Sequence, residues 1–122
     1  MGCDIHGWVE VKHNGKWIAI SNRFGDLRNY ERFAMLASVR GISNRRPLGI
    51  PKDLSETAKY SIESLGDDGH SHSYMPIKEA ADIFLATTTA PTEYEEKYPV
   101  SAFFEVDPDD EREFRLVFWF DN

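Results

Sequence analysis

Residues 114–120, FRLVFWF, constrain the fold more than any other stretch of the chain. Read as a strand, the run is apolar on both alternating faces, with Arg115 as the charged exception. Such a strand belongs in the interior of a sheet rather than at its edge. At the other end of the chain, residues 3–11 alternate. Cys3, Ile5, Val9 and Val11 point one way; Asp4, His6, Trp8 and Glu10 point the other. HNGK at 13–16 holds an Asn-Gly pair, the strongest short hairpin signal, and residues 17–20 return as a second strand.

The middle of the chain reads as helices and loops. Residues 21–27 form a loop. Residues 28–40 predict a helix, with Tyr30, Phe33, Ala34 and Ala37 at helical spacing and Gly41 as its stop. Residues 42–52 hold two prolines and two arginines, which suits an ordered loop or a lid. Ser55 caps a short helix carrying Ala58, Ile62 and Leu65. GDDGHSHS at 66–73 reads as a polar loop, and Pro76 opens a third helix with an Ile77, Ala80, Ala81, Phe84, Leu85 stripe. Residues 87–99 are polar and turn-rich. Residues 101–106 then predict a strand, and DPDD at 107–110 a turn leading into the final strand. The expected fold is α+β in one domain, 1–122. N- and C-terminal hairpins form a mainly antiparallel sheet, with about three helices between them packed on one face.

Charge narrows the function. The net charge of −7 argues against long nucleic acid as a partner. Its distribution is uneven. Residues 1–60 carry ten Lys/Arg against six Asp/Glu, and residues 61–122 carry four against fifteen. Arg28, Arg32, Arg40 and Arg45 belong to the basic part, and guanidinium forks suit phosphate groups. The same residues read equally well as a solvated helix face. One cysteine permits no internal disulfide and fits a reducing cytosol. No apolar run reaches the ~20 residues of a membrane helix, and the start lacks a signal-peptide pattern. No membrane partner is expected.

Three polar spots look out of place. Asp4 and His6 share one strand face, so both reach one site. Carboxylate with imidazole suits a divalent metal, or a histidine acid–base catalyst oriented by a carboxylate. The plainer reading is a strand-end cap and a ring packed on Trp8. His70 and His72 form the second pair, in a loop whose serines alternatively cap a helix. Asp121 is the third candidate, after the apolar strand, as a ligand, an orienter or a solvated end. The candidate catalytic set is therefore His6, His70, His72 and Asp4. Where a divalent metal is used, its ligands are Asp4, His6, His70, His72 and Asp121; otherwise no cofactor is needed. His13 flanks the turn and is idle. Cys3 falls in the apolar phase and reads as a small buried thiol. No phosphate-binding Gly-rich loop, nucleophile elbow or zincin motif is present.

At GCDIH (2–6), HSHSY (70–74) and VFWFDN (117–122) the chain resembles a widespread family of small bacteriophage and prophage proteins. Its members start Met-Gly-Cys-Asp-Ile-His and continue with a Val-Glu hairpin, here at 8–11. They carry an Arg-Asn-Tyr…Phe…Leu-Ala helix, here at 28–37, and end in a Phe-Asp pair, here at 120–121. The resemblance implies the cytoplasm of a phage-infected bacterium rather than one set activity. Small phage proteins often act on host defence, some by cleaving or sequestering cyclic nucleotide second messengers.

Three functions follow from these readings. The first is a phosphodiesterase-like hydrolase of a small nucleotide. His6, His70, His72 and Asp4 do the chemistry, Arg28, Arg32, Arg40 and Arg45 hold phosphates, and Trp8 or Tyr74 stacks on a base. The second is a homo-oligomer whose pocket sequesters the nucleotide without chemistry. The third is an inhibitor whose acidic second half mimics nucleic acid, which leaves the histidine pairs unexplained.

Overall fold

The computed structural model describes residues 2–24 and 28–121. Strand β1 is Asp4–His13 and β2 is Lys16–Ser21; helix α1 is Tyr30–Ala37 and α2 is Glu56–Leu65. Strand β3 is Gly69–Pro76, followed by α3 Ile77–Ala86, α4 Glu93–Lys97, α5 Pro99–Phe104 and β4 Phe114–Asp121. The four strands form one antiparallel sheet in the order β2-β1-β4-β3. The α+β class stands, and the N- and C-terminal strands are neighbours at its centre. No helix among the described residues is long and apolar enough to cross a membrane.

The apolar run of β4 is buried through Phe120 because strands flank it on both sides. Phe114, Leu116, Phe118 and Phe120 join Cys3, Ile5, Val9 and Val11 in the main core, with Phe33, Leu36, Phe84 and Phe104 from α1, α3 and α5. The opposite face holds Trp8 and Glu10, and α2 lies against it rather than beside the other helices. Trp8 Nε1 donates to Ser61 Oγ at 3.0 Å, and the amide of Ser55, the α2 cap, donates to Glu10 Oε2 at 2.9 Å. Both sheet faces are thus covered, which is why β4 has no polar face.

Two expected elements differ. Residues 101–106 are not a strand; Pro99 at the first position starts α5 instead, and Glu105 ends it in the left-handed region. No C-terminal hairpin forms, and the outer neighbour of β4 is β3. Residues 66–73 are correspondingly not a loop. After a single 3₁₀ turn at Gly66–Asp68, HSHS runs along β4 as an edge strand. The loop at 42–52 straps the far side of β3, since Gly49 N–H donates to His72 O at 2.8 Å and Leu48 N–H to Ser73 Oγ at 3.0 Å.

Gly7 packs against β4 with no room for a side chain. A Cβ there would lie 2.3 Å from the Val117 carbonyl oxygen and 2.9 Å from the Phe24 ring. Gly7→Ala is expected to destabilise the fold by about 1–3 kcal/mol through overpacking. A lowered urea midpoint at unchanged slope would show it; an unchanged midpoint would mean that β1 shifts without strain.

Candidate functional site

The start of β1 uses each residue of its GCDIH stretch. Gly2 lies under Arg28, whose Nη1 would be 1.9 Å from any Cβ at that position. Cys3 is buried and its N–H donates to the Tyr30 hydroxyl at 3.2 Å. Burial raises the thiol pKa; Arg40 and Arg28 pull it down, while Asp121 and Asp4 add to the rise. Asp4 accepts from Arg28 Nε at 2.8 Å and Nη2 at 3.3 Å, and those hydrogen bonds hold its carboxyl below the usual range. His6 stands opposite Trp119, and Asp4 opposite Asp121. His6 Nε2 lies 3.0 Å from Asp121 Oδ2. The approach is an ion pair only when the imidazole is protonated, and Nε2 makes no hydrogen bond.

A bulge in β3 decides where the histidines go. His70 pairs with Phe120 and Ser73 with Phe118, so β3 advances three residues while β4 advances two. Ser71 absorbs the extra residue with a φ of 57°. In a regular strand His70 and His72 would share a face. Here the phase flips between them. His70 lies against Phe120 at 6.3 Å between ring centroids, on the core side where Phe120 meets Phe33. His72 lies against Trp119 at 6.2 Å, on the α2 side. His70 Nδ1 is 2.9 Å from Ser71 Oγ.

Three near-parallel rings therefore stand in a row across the sheet. Trp119 is central, 6.4 Å from His6 with an 18° tilt and 6.2 Å from His72 with a 22° tilt. The two imidazoles are two strand spacings apart, roughly 10 Å. That is too far for both to reach one reacting atom by hydrogen bond. The expected pairing of His6 with His70 or His72 on one substrate group is not assembled. Nor do Asp4, His6, His70, His72 and Asp121 converge as metal ligands. Among the described residues no group of three or more such side chains is arranged to hold an ion.

The expected phosphate-binding arginines also divide. Arg28 and Arg40 lie at the His6 end of the sheet, Arg40 over the Tyr30 ring at 5.2 Å. Arg32 ties α1 to α3 instead. It donates to Thr87 Oγ1 at 2.8 Å and the Phe84 carbonyl at 3.0 Å, and its guanidinium lies 4.1 Å over the Phe84 ring. Arg45 pairs with Glu79, also on α3. Both lie with the helices of the core face, away from the His6 end of the sheet. Tyr74 stands beside Arg115, at 5.7 Å.

A cleft of about 550 Å³ opens on the α2 side. His6, Trp8 and Trp119 line it from the sheet, Tyr60, Ser61 and Ser64 from α2, and Asn22 and Phe24 from the segment after β2. Sequence reasoning singled out His6 and Trp8 here and missed Trp119 and the α2 residues. Burial lowers the His72 pKa, with the His70 charge adding to it. The native state therefore resists protonation that the unfolded chain accepts near pH 6.5. The His72 contribution is fully present above that value and is lost as pH falls through it towards the lowered native value. Acidification from pH 7 to 5 is expected to lower the urea midpoint, and His72→Gln to reduce that drop; an undiminished drop would assign it to other groups. Comparison with protein-family profiles, with characterised proteins and with solved structures finds no match.

Proposed function

We propose that this chain hydrolyses a small nucleotide at the His6–Asp121 pair, within the cleft beside α2. The observation that carries the reading is the 3.0 Å approach of His6 Nε2 to the Asp121 carboxylate at the wall of an aromatic-lined cleft. The His6 side chain is 40% exposed while its Nε2 is covered, so its open side is Nδ1. Nδ1 takes the proton of an attacking hydroxyl, from water or from a ribose next to the phosphate. The oxygen bonds to phosphorus as the leaving oxygen departs, and the proton held on His6 returns to that oxygen. Asp121 stabilises the imidazolium in between. Trp8 and Tyr60 supply ring surfaces for a base. Arg28, with further N–H donors beyond the two that Asp4 takes, is placed at the same sheet end for a phosphate oxygen.

One observation favours a second reading, sequestration without cleavage. The histidine expected to complete an acid–base pair stands across Trp119 from His6. A chromatographic assay separates the two. The protein is mixed with cyclic dinucleotides, cyclic trinucleotides and cyclic ADP-ribose forms, with and without EDTA, then filtered and heated. New product peaks support hydrolysis, and EDTA sensitivity would add a metal to it. A ligand lost from the filtrate and recovered intact on heating supports sequestration. Full recovery in the filtrate would overturn both readings.

A further inference from the structure

The sheet has two outer edges, and the chain treats them differently. The outer edge of β3 is strapped by residues 42–52. Among the described residues no hydrogen bond reaches the outer edge of β2. The hairpin turn is two residues long, so His13 and Lys16 form a hydrogen-bonded pair, and so do Val11 and Ile18. Trp17 and Ala19 therefore turn their N–H and C=O groups away from β1. The side chains leave this edge open too. Ile18, opposite Val11 on the core face, is 45% exposed, and Ile20 is 47% exposed. Folded proteins blunt such edges with proline, charge or a covering segment. β2 has no proline and one charge, Lys16, at its start.

We propose that β2 pairs antiparallel with β2 of a second copy of this chain, about a two-fold axis at Ile18. That register sets Trp17 opposite Ala19 of the second copy and pairs every outward N–H and C=O of both residues. Ile18 meets its own counterpart at the axis, an apolar cross-strand contact. An axis at Trp17 or at Ala19 would carry one end of the ladder into the turn or past the bulge opposite Val9. Charge favours a second copy as the occupant. The axis puts Lys16 opposite Ile20 of the second copy, and Ile20 lines a hollow with Glu105. Arg23 lines it as well, yet neither Glu105 nor Lys16 forms an ion pair among the described residues. Each Lys16 thus comes to the hollow that holds the other copy's Glu105, while the two Lys16 side chains stand roughly 14 Å apart along the strands.

Sedimentation of the full chain over a concentration series tests the pairing. The mass should rise from 14.0 kDa towards twice that value as concentration rises. Ile18→Lys sets two ammonium groups against each other at the axis and should hold the chain at the monomer mass throughout. Lys16→Glu and Glu105→Lys should each weaken association several-fold, and the double variant should restore it. Should Ile18→Lys not fold, hydrogen exchange of the wild-type chain still decides. The Trp17 and Ala19 amides should exchange about tenfold more slowly in concentrated than in dilute protein, while that of Ile18, bonded to β1, stays the same. A monomer mass at every concentration, a dimer that survives Ile18→Lys, a double variant no tighter than the single ones, or exchange at Trp17 and Ala19 that ignores concentration would overturn the proposal.

Discussion

Arg115→Met is expected to destabilise the fold by about 3–5 kcal/mol, the range for breaking a buried ion pair by removing one partner. Arg115 is 6% exposed and Glu10 0%. Arg115 Nε donates to Glu10 Oε1 at 2.6 Å and Nη1 to Asp53 Oδ1 at 3.0 Å, and its guanidinium lies 4.0 Å over the Trp17 ring. Trp17 Nε1 donates to the other Asp53 oxygen at 3.0 Å. One cation thus joins β1, β2, β4 and the segment before α2. Without it, Glu10 keeps the Ser55 amide as a partner and no countercharge. A domain of this size has about 5–15 kcal/mol in total, so the loss should bring the urea midpoint down by a large fraction. Removing both charges, as Glu10→Leu with Arg115→Met, should recover much of the loss, because an apolar pair of similar volume carries no stranded charge. A single variant within 1 kcal/mol of the parent would mean that water reaches Glu10.

His6→Ala is expected to lower kcat by about 10²–10⁴-fold, the usual contribution of a positioned acid–base group. Ligand affinity should change far less, because the rings of Trp8 and Tyr60 remain. Under the proposed reaction, Asp121→Asn keeps the shape and removes the charge that would steady the imidazolium, so its loss should be smaller and again in kcat rather than KM. If His6→Ala instead left turnover intact, the reaction would not pass through this ring. If it removed affinity from a chain with no turnover, the sequestration reading would take its place.

The sheet was legible where side chains report their surroundings. The two-faced apolar run placed β4 inside, the alternation of residues 3–11 placed Cys3 and Ile5 in the core, and Asn14-Gly15 placed the β1–β2 turn. β3 was hidden because Gly, Ser and His have weak strand preference, and its order comes from pairing with β4. Residues 101–106 misled through their Phe and Val content; Pro99 and the preceding short helix outweigh it. Within the site, the Asp4/His6 face was readable from period two. The division of His70 from His72 was not, since one left-handed serine reverses the phase. Trp119 gave no signal of its own, because an indole inside a run of Phe and Val reads as core until its nitrogen is found without an acceptor.

The position of β4 between β1 and β3 also sets the order in which this protein can be made. During synthesis β1, β2 and β3 all leave the ribosome before the strand that separates β1 from β3 exists. Until then β3 has no strand partner, and β1 has β2 alone, paired only along Val9–His13. The core helices α1, α3 and α5 have half a sheet to pack on. The Arg115–Glu10 pair, 105 residues apart in sequence, closes in the same late step. The nascent chain therefore carries its apolar stripes uncovered until residues 114–121 have been made, a window for chaperone capture or misassembly. His6, Asp121 and Trp119 meet only when that window shuts.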